Sequence, residues 1–294
     1  MKIAIATDTN SGITAKEGEE LGVFLLAMPV NLEETIHYEG IDITSQQLYD
    51  AMRQHRDIST SQPSPGQLME LWDGILAAGY DQIVYIPMSS GLSGSCQSAA
   101  LFARDYGGKV QVVDNHRISV TQRESVVSAQ RLARQGYDAE QIKTFLENHA
   151  YDASIYITVD SMEYLKKGGR VTPAAAALAT VLNLKPVLTI QGDKLDAFAK
   201  VRGMKMAQSK MIEALHQDFA GRFRDVPQSR VLIETAGTLE SDALAESWRQ
   251  QVQSEFPFAQ VRYANLPCSI ACHVGMNAIA AVIMTQEVPP EGQQ

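Results

Sequence analysis

A loop rich in serine and glycine, placed between an apolar run and a helical run, constrains the fold more than any other feature of the chain. Ile83–Ile86 predicts a buried strand, Ser89–Ser95 forms the loop, and Gln97–Ala103 begins a predicted helix. In such a unit the free N–H groups at the helix start and the helix dipole both favour negative charge. The loop hydroxyls add neutral donors. The unit therefore predicts a place for a carboxylate or phosphate oxygen.

Residues 1–152 alternate between strand and helix patterns. Strands are predicted at 2–6, 83–86 and 110–113, and helices at 44–53, 67–78, 97–105 and 121–135. This alternation predicts an N-terminal α/β domain with a parallel sheet and covering helices. Binding sites in such sheets lie beyond the carboxyl ends of the strands, where Asp8, the serine loop and Asp114 are placed.

Residues 153–285 follow a different pattern, which predicts a C-terminal α+β domain with a mixed or antiparallel sheet. Strands are predicted at 154–159, 186–190, 194–201, 230–233 and 260–263, and helices at 161–167, 204–219 and 241–256, with a further helix beginning at 172–173. The turn around Gly192 joins two of these strands as an antiparallel hairpin. Residues 286–294 are predicted to be a flexible tail.

Composition narrows the classes of function. The 294 residues, 45% hydrophobic and 20% charged, are typical of a folded chain long enough for two domains. A net charge of −9 without a Lys/Arg cluster argues against nucleic-acid binding. The first apolar run is too short for a signal peptide, and no run is long enough to cross a bilayer. Three cysteines indicate a reducing compartment, so we expect a cytoplasmic protein with at most transient membrane contact.

Motifs for metal, nucleotide and nucleophile chemistry are weak. Cys268, Cys272 and His273 lack the spacing of a zinc site, and no Gly-x-x-x-x-Gly-Lys motif for ATP is present. Ser93 is followed directly by Gly94, whereas the hydrolase elbow has glycine two residues after its serine. An enzyme with Ser93 as nucleophile and His273 as base is the alternative class, and an anion sensor without lipid is a third.

Several short motifs occur in a fixed order along nearly the whole chain. They are Thr7-Asp8, Thr60-Ser61-Gln62-Pro63-Ser64, Ser90-Gly91-Leu92-Ser93-Gly94, Val113-Asp114, Tyr164-Leu165-Lys166-Lys167-Gly168-Gly169-Arg170, Leu182-Asn183-Leu184-Lys185-Pro186, Lys200-Val201-Arg202 and His273-Val274-Gly275. In this order and at these separations, they resemble the DegV family of bacterial fatty-acid-binding proteins.

The resemblance implies a carrier that holds a long-chain fatty acid between two domains. It further implies that the carboxylate is presented to a separate ATP-dependent fatty acid kinase, giving an acyl-phosphate for phospholipid synthesis. The chain itself would then be no enzyme, with no metal and no cofactor beyond the bound fatty acid. The positions implied for carboxylate binding are Thr60, Ser61, Ser93, Gly94 and His273, and those for partner or phosphate recognition are Arg170 and Arg202.

The chain departs from the family pattern at three places. Met276-Asn277 stand where the family usually has Pro-Gly after the histidine motif, and Asn115 stands where serine is favoured. The first turn has Asn10-Ser11-Gly12 in place of a second acidic residue. Each implied site residue also fits a structural role, since hydroxyls cap helices, a lone histidine packs beside apolar residues, and turn arginines solvate a surface.

An acyl tail would contribute more binding energy than its head group. Each buried CH₂ is worth about 0.8 kcal/mol, so a long chain gains on the order of 10 kcal/mol before ordering costs. A hydroxyl contact to a charged acceptor contributes about 2 kcal/mol. We therefore expect a tunnel to set affinity and the head contacts to set orientation. Ala175–Leu182, Leu188 and Ile190 are predicted to line it, although each also fits an ordinary core.

Overall fold

Two β-sheets and a smaller third sheet organise the chain in a computed structural model, which describes residues 1–178 and 185–286. The first part contains β1 (Ile3–Asp8), α1 (Ala15–Leu21), β2 (Val23–Leu26), β3 (Pro29–Leu32), β4 (Thr35–Tyr38), α2 (Ser45–Arg53), β5 (Ile58–Thr60), α3 (Pro65–Ala77), β6 (Gln82–Ile86), α4 (Ser95–Phe102), β7 (Val110–Val112), α5 (Val120–Arg134) and α6 (Ala139–Asn148). The second part contains β8 (Ala153–Thr158), α7 (Glu163–Gly168), α8 (Pro173–Leu178), β9 (Lys185–Ile190), β10 (Asp196–Val201), α9 (Met204–Ala220), β11 (Val231–Gly237), α10 (Asp242–Glu255), β12 (Arg262–Asn265), α11 (Cys268–Val274) and β13 (Ile279–Thr285).

The first sheet has the order β2-β1-β6-β7, and all of its strand pairs are parallel. Its central strand β6 is apolar because both of its faces are buried, with Ile83–Ile86 almost inaccessible to solvent. Helices α3 and α4 pack against one face, and α5 and α6 against the other. The predicted parallel sheet with covering helices is confirmed.

Helix starts in this part follow their capping residues. Thr44 caps α2 in a capping box with Gln47, and the helix begins one residue after its predicted start. Ser64 caps α3, and Pro65 occupies its first turn, so this helix begins two residues before the predicted start. The hydroxyl of Ser64, in the loop of residues 59–64, therefore has a structural role, since it caps a helix.

The small sheet, of order β4-β3-β5, is antiparallel and was not predicted. Pro29 is the first residue of β3, a position that needs no ladder N–H. Val30 pairs with Thr60, so this sheet fixes the position of the first serine- and threonine-rich loop.

The second sheet has the order β10-β9-β8-β13-β11-β12 and is mixed. The predicted antiparallel hairpin of β9 and β10 is present. The parallel pair of this sheet is formed by β11 and β12. The central strand β13, which was not predicted, is fully buried between β8 and β11. Helices α9 and α10 pack on one face, and the other face packs against Leu92, Ile118 and Val120 of the first part.

The boundary at residue 152 falls between α6 and β8 and stays a prediction. Contacts cross it, because α11 packs Cys268, Ala271 and Cys272 against apolar residues of the small sheet and α2. Of the predicted tail, 287–294 lie outside the described residues, and Gln286 donates its N–H to the Arg230 carbonyl.

Candidate functional site

A cavity of about 890 Å³, counting its open mouth, lies between the carboxyl edge of the first sheet and the inner face of the second. Of this space, about 90 Å³ can be occupied by the centre of a water molecule, which is several times what a single water needs. Most of the described side chains that line it are apolar. These apolar residues are Met28, Met88, Leu92, Ile118, Val120, Ile155, Ile157, Leu165, Ile190, Leu195, Ala236, Leu266, Ile270, Val274, Ala280 and Val282.

Strand alternation produces the cavity floor. Ile157 of β8 is paired with Ala280 of β13, and Ala280 is paired with Ala236 of β11, so these three side chains form one row across the sheet. Because side chains two residues apart share a face, Ile155 and Val282 form the adjoining row. The two alanines leave space where larger side chains would fill the floor.

Polar residues of the first part gather at the mouth. Thr60 ends β5, Ser61 and Gln62 follow it, and Ser93 precedes α4 on the serine loop. Ser93 Oγ accepts from the Ser95 N–H at 3.2 Å, so its own proton is free to be donated to a ligand. Ser61 is exposed, whereas Thr60 and Ser93 are half-buried. The structure therefore brings both predicted hydroxyl loops to one cavity.

The rest of the serine loop positions Ser93. Ser89 is fully buried, and its hydroxyl donates to the Gly192 carbonyl in the hairpin turn at 2.5 Å. A Cβ at Gly91 would lie 2.7 Å from atoms of Asp193, so this close approach requires glycine. Gly94 is the exposed residue before α4 and does not belong to the described cavity lining.

His273 reaches the mouth from α11, and its Nε2 lies 2.8 Å from Thr60 Oγ1. Burial, and after it the charge of Arg170, lowers the pKa of His273 to about 4, so the imidazole is neutral near pH 7. Its Nδ1 has no hydrogen-bond partner among the described residues. The ring lies against Gly168, where any Cβ would collide with Nδ1.

Arg170 is placed differently from the sequence-based interpretation of a solvated turn arginine. It is half-buried and lines the cavity, with Nε donating to the Leu92 carbonyl at 3.3 Å and Nη1 donating to the Gly168 carbonyl. Among the described lining residues it is the only charged side chain. A single positive charge therefore stands beside the hydroxyls.

Arg202 lies away from this mouth. It is exposed and follows the end of β10, whereas Arg170 is hydrogen-bonded to Leu195 at the start of that strand. At about 3.3 Å per residue, the strand separates the two arginines by roughly 20 Å. The structure does not join them in one patch.

The contacts expected of a serine hydrolase are missing from the described residues. No hydrogen bond joins Ser93 to His273, whose Nε2 is engaged by Thr60. No carboxylate orients the imidazole, since Nδ1 has no partner there. A nucleophile needs a base within reach and an orienting group behind that base.

Other lining residues were not found from the sequence. Asn10, Ser119 and Ser269 add polar groups to the cavity wall. Asn10 stands in the first turn, where the chain departs from the family pattern, and this departure was the available signal. The apolar prediction holds for Ile190. Leu188, Ala175, Ala176 and Leu178 belong to the surrounding core, Ala177 is exposed, and 179–182 lie outside the described residues.

Within residues 1–178 and 185–286, no group of three or more histidine, cysteine or acidic side chains has the arrangement of a metal site. The three cysteines are buried free thiols, and burial raises the pKa of Cys96 and Cys268 to about 12. None of the helices in this part of the chain combines the length and apolar character needed to cross a membrane.

Comparison with known proteins gives a consistent result. The DegV family model matches residues 2–286. A DegV domain-containing protein of Deinococcus radiodurans is 35% identical over 214 residues, which cover 72% of this chain and 76% of that protein.

Solved structures agree with this match. A DegV family protein from Thermus thermophilus, described for its fatty acid binding, superposes with a TM-score of 0.87 at 30% identity and covers 97% of this chain and 100% of its own. DegV of Bacillus subtilis, a fatty acid binding protein, has a similar fold, with a TM-score of 0.84 at 24% identity over 97% of this chain and 99% of its own.

Proposed function

This chain belongs to the DegV family, and from that premise we propose that it is a carrier for a long-chain fatty acid. The observation that carries the proposal is the cavity itself, which is apolar along its length and has uncharged hydroxyl donors and one arginine at its mouth. A fatty acid has the same division into a long apolar part and one acidic end. The fatty acid binding described for the Thermus thermophilus relative supports this assignment.

The head group would be held at the mouth by Ser93, Thr60 and Ser61, with His273 behind Thr60. If the His273 proton is on Nε2, the imidazole donates to Thr60, and the Thr60 hydroxyl is free to donate to the carboxylate. Arg170 supplies the opposite charge to the bound anion. These side chains orient the fatty acid, and Arg170 is the one charged side chain that they include.

We propose more specifically that the protein presents the carboxylate of the bound fatty acid to a separate ATP-dependent kinase. In that reaction a carboxylate oxygen attacks the terminal phosphorus of ATP, ADP leaves, and the acyl-phosphate stays bound for use in phospholipid synthesis. The open mouth supports this role because the acid end lies beside exposed residues such as Ser61. Arg170 fits the phosphate formed there, since a planar guanidinium pairs with phosphate oxygens.

The role is tested by supplying the oleate-loaded protein with ATP and a fatty acid kinase, and trapping the acyl-phosphate with hydroxylamine. We expect hydroxamate only when protein, kinase and ATP are all present. Hydroxamate formed from protein and ATP without the kinase would contradict the carrier role. A fluorophosphonate that labels Ser93 would instead favour the hydrolase alternative.

We further propose that Arg202 contributes to docking of the kinase, because it is exposed and far from the mouth. Arg202→Ala is expected to leave oleate binding unchanged and to slow hydroxamate formation. Loss of oleate binding in this variant would contradict the assignment.

A further inference from the structure

Helix α5 begins inside the cavity, since Ile118, Ser119 and Val120 all line its wall. Ser119 directly precedes the helix, at the position where a serine hydroxyl usually accepts a backbone N–H of the first turn. Its side chain makes no such bond. The backbone of Ser119, with φ 56° and ψ −135°, is far from the extended conformation from which a side chain caps a helix. The helix therefore makes no use of this hydroxyl.

The Ser119 hydroxyl is accessible from the cavity. The residue is only 7% exposed, and it lines the cavity wall. Its Oγ makes no hydrogen bond with the described residues, yet it is not one of their partnerless side-chain atoms that solvent cannot reach. Because the rest of the residue is enclosed, this oxygen is reached through the cavity. Ser119 thus presents an unpaired hydroxyl to whatever fills that space.

Backbone donors stand beside this hydroxyl. The N–H groups of Val120 and Thr121 make no hydrogen bond with the described residues, as is usual in the first turn of a helix. The dipole of this 15-residue helix adds partial positive charge at the same end. No acidic side chain is among the described residues that line the cavity. The start of α5 therefore favours an oxygen that accepts hydrogen bonds.

Resting on the proposed function, we propose that the start of α5 is a second binding point for the ligand, and that the cavity takes acyl chains with a carbonyl group part-way along. A carbonyl oxygen has two lone pairs, so it can accept from both the Ser119 hydroxyl and the Val120 N–H. A plain acyl chain would cover these donors without satisfying them, which is costly. The chemical class of the ligand is therefore a long-chain oxo fatty acid.

Contacts along the wall define where the carbonyl belongs on the acyl chain. The Ser119 N–H donates to the Asn10 carbonyl at 3.0 Å, and Asn10 Oδ1 lies 2.9 Å from Ser269 Oγ. Ser269 precedes His273 by about one turn of α11, a rise of about 6 Å. His273 marks the carboxylate end through its contact with Thr60. The carbonyl therefore belongs several carbons from the acid, in the carboxyl-proximal half of a long chain.

The test compares the affinities of palmitate and oxopalmitates for the full-length protein by displacement titration. A proximal series carries the carbonyl at successive positions of the carboxyl-proximal half, and one further isomer carries it next to the methyl end. We expect the best proximal isomer to bind within about threefold of palmitate or more tightly. The methyl-end isomer is expected to bind at least about tenfold more weakly, because its oxygen is buried without a donor.

One variant assigns this preference to Ser119. Ser119→Ala removes the hydroxyl and keeps the Cβ, and the affinity of the best proximal isomer relative to palmitate is expected to fall about tenfold. Ser125→Ala is the matched control on the same helix, because the Ser125 hydroxyl donates to the Thr121 carbonyl at 3.4 Å and does not line the described cavity. The relative affinity should be unchanged in the control.

Thermal unfolding of the lipid-free protein separates a ligand contact from a role in the helix. Because the Ser119 hydroxyl caps no N–H group, Ser119→Ala is expected to keep the unfolding temperature of the wild type. A lower unfolding temperature together with an unchanged relative affinity would assign the hydroxyl to the helix and would overturn the proposal.

The proposal also fails if every proximal isomer binds the wild-type protein as weakly as the methyl-end isomer. It fails again if the relative affinity is the same in Ser119→Ala as in the wild type, since a bound water would then satisfy the donors. Palmitate binding alongside either result leaves the carrier function intact and removes only this inference. Absence of palmitate binding would instead contradict the proposed carrier function.

Discussion

Ser93 and Thr60 reach the cavity mouth as neutral hydroxyls, and this choice of residue has an energetic reason. A buried cation without a ligand would carry a large desolvation cost, whereas a hydroxyl with a free proton carries a small one. Arg170 avoids much of that cost because it is only half-buried and donates to two backbone carbonyls. Neutral hydroxyls and a half-buried arginine can therefore receive an anion at a small desolvation cost.

Substitution of Ser93 tests the hydroxyl contact. Ser93→Ala is expected to weaken oleate binding by about tenfold to a hundredfold, since a hydrogen bond to a charged group is worth about 1.5–3 kcal/mol. Ser90→Ala is the matched control, because Ser90 is on the same loop and does not line the described cavity. Equal affinities of the two variants in a displacement titration would remove Ser93 from the site.

The depressed pKa of His273 predicts a pH dependence of stability. Between pH 6.5 and about 4 the unfolded chain binds a proton at this residue and the folded chain does not. The free energy of unfolding therefore falls as the pH drops through this window, by about 2 kcal/mol at pH 5 from this group. His273→Gln removes this contribution, so lipid-free wild type should lose more stability than the variant between pH 7 and pH 5. Parallel unfolding curves for the two proteins would show that His273 titrates normally.

At the scale of the elements, α7 and α11 meet at Gly168, the last residue of α7. The His273 ring occupies the space where a side chain would be, and Arg170 also donates to the Gly168 carbonyl. Residue 168 thus contacts both Arg170 and His273, and the His273 ring is the contact that requires glycine there. The motif around Gly168 was part of the family resemblance, but its role depends on a contact between segments about a hundred residues apart, which spacing alone does not show.

Gly168→Ala is expected to displace the His273 ring and to lower oleate affinity by about tenfold, through loss of the hydrogen bond to Thr60. The control is Gly74→Ala in α3, where the added Cβ meets open space and the helix gains up to about 1 kcal/mol of stability. Calorimetric titration of both variants gives the comparison. Wild-type affinity in Gly168→Ala would mean that the ring is not held by this contact.

Elements with strong local signals were predictable from the sequence. Helices α2 and α10 begin within one residue of their predicted starts at 44 and 241, and the hairpin of β9 and β10 has its glycine turn. The small sheet was not predicted because its strands are only three or four residues long and β3 begins with a proline, which is rare inside strands. Strand β13 was missed because a fully buried strand shows no alternation of polar and apolar residues.

At the scale of the whole molecule, the cavity exists because two halves of the chain meet without filling the space between them. The carboxyl edge of the parallel sheet supplies the polar mouth, and the inner face of the mixed sheet supplies the apolar floor. The sequence predicted the hydroxyl loops, since their motifs are local. It did not predict most of the floor, because the same apolar residues fit an ordinary core until the pairing of Ile157, Ala280 and Ala236 is known.

Two neighbouring alanines of β13 lie on opposite faces of the sheet, one facing the cavity and the other facing a packed core. Ala280 faces the cavity, and Ala281 faces the cluster formed with α9 and α10. Ala280→Leu is expected to keep or raise the unfolding temperature of the lipid-free protein and to weaken oleate binding tenfold or more, because the new side chain takes the place of acyl carbons. Ala281→Leu overfills a packed core and is expected to cost about 1–3 kcal/mol of stability. Equal destabilisation by both substitutions would indicate that the floor is packed solid.

Native mass spectrometry of the full-length protein, purified without detergent and then mixed with oleate, tests the central claim most directly. We expect a species heavier than the polypeptide by one fatty acid, either on purification or after oleate is added. Extraction of that species should release a fatty acid of the same mass. Repeated spectra of the bare polypeptide, with oleate in excess, would contradict the claim that this cavity holds a fatty acid.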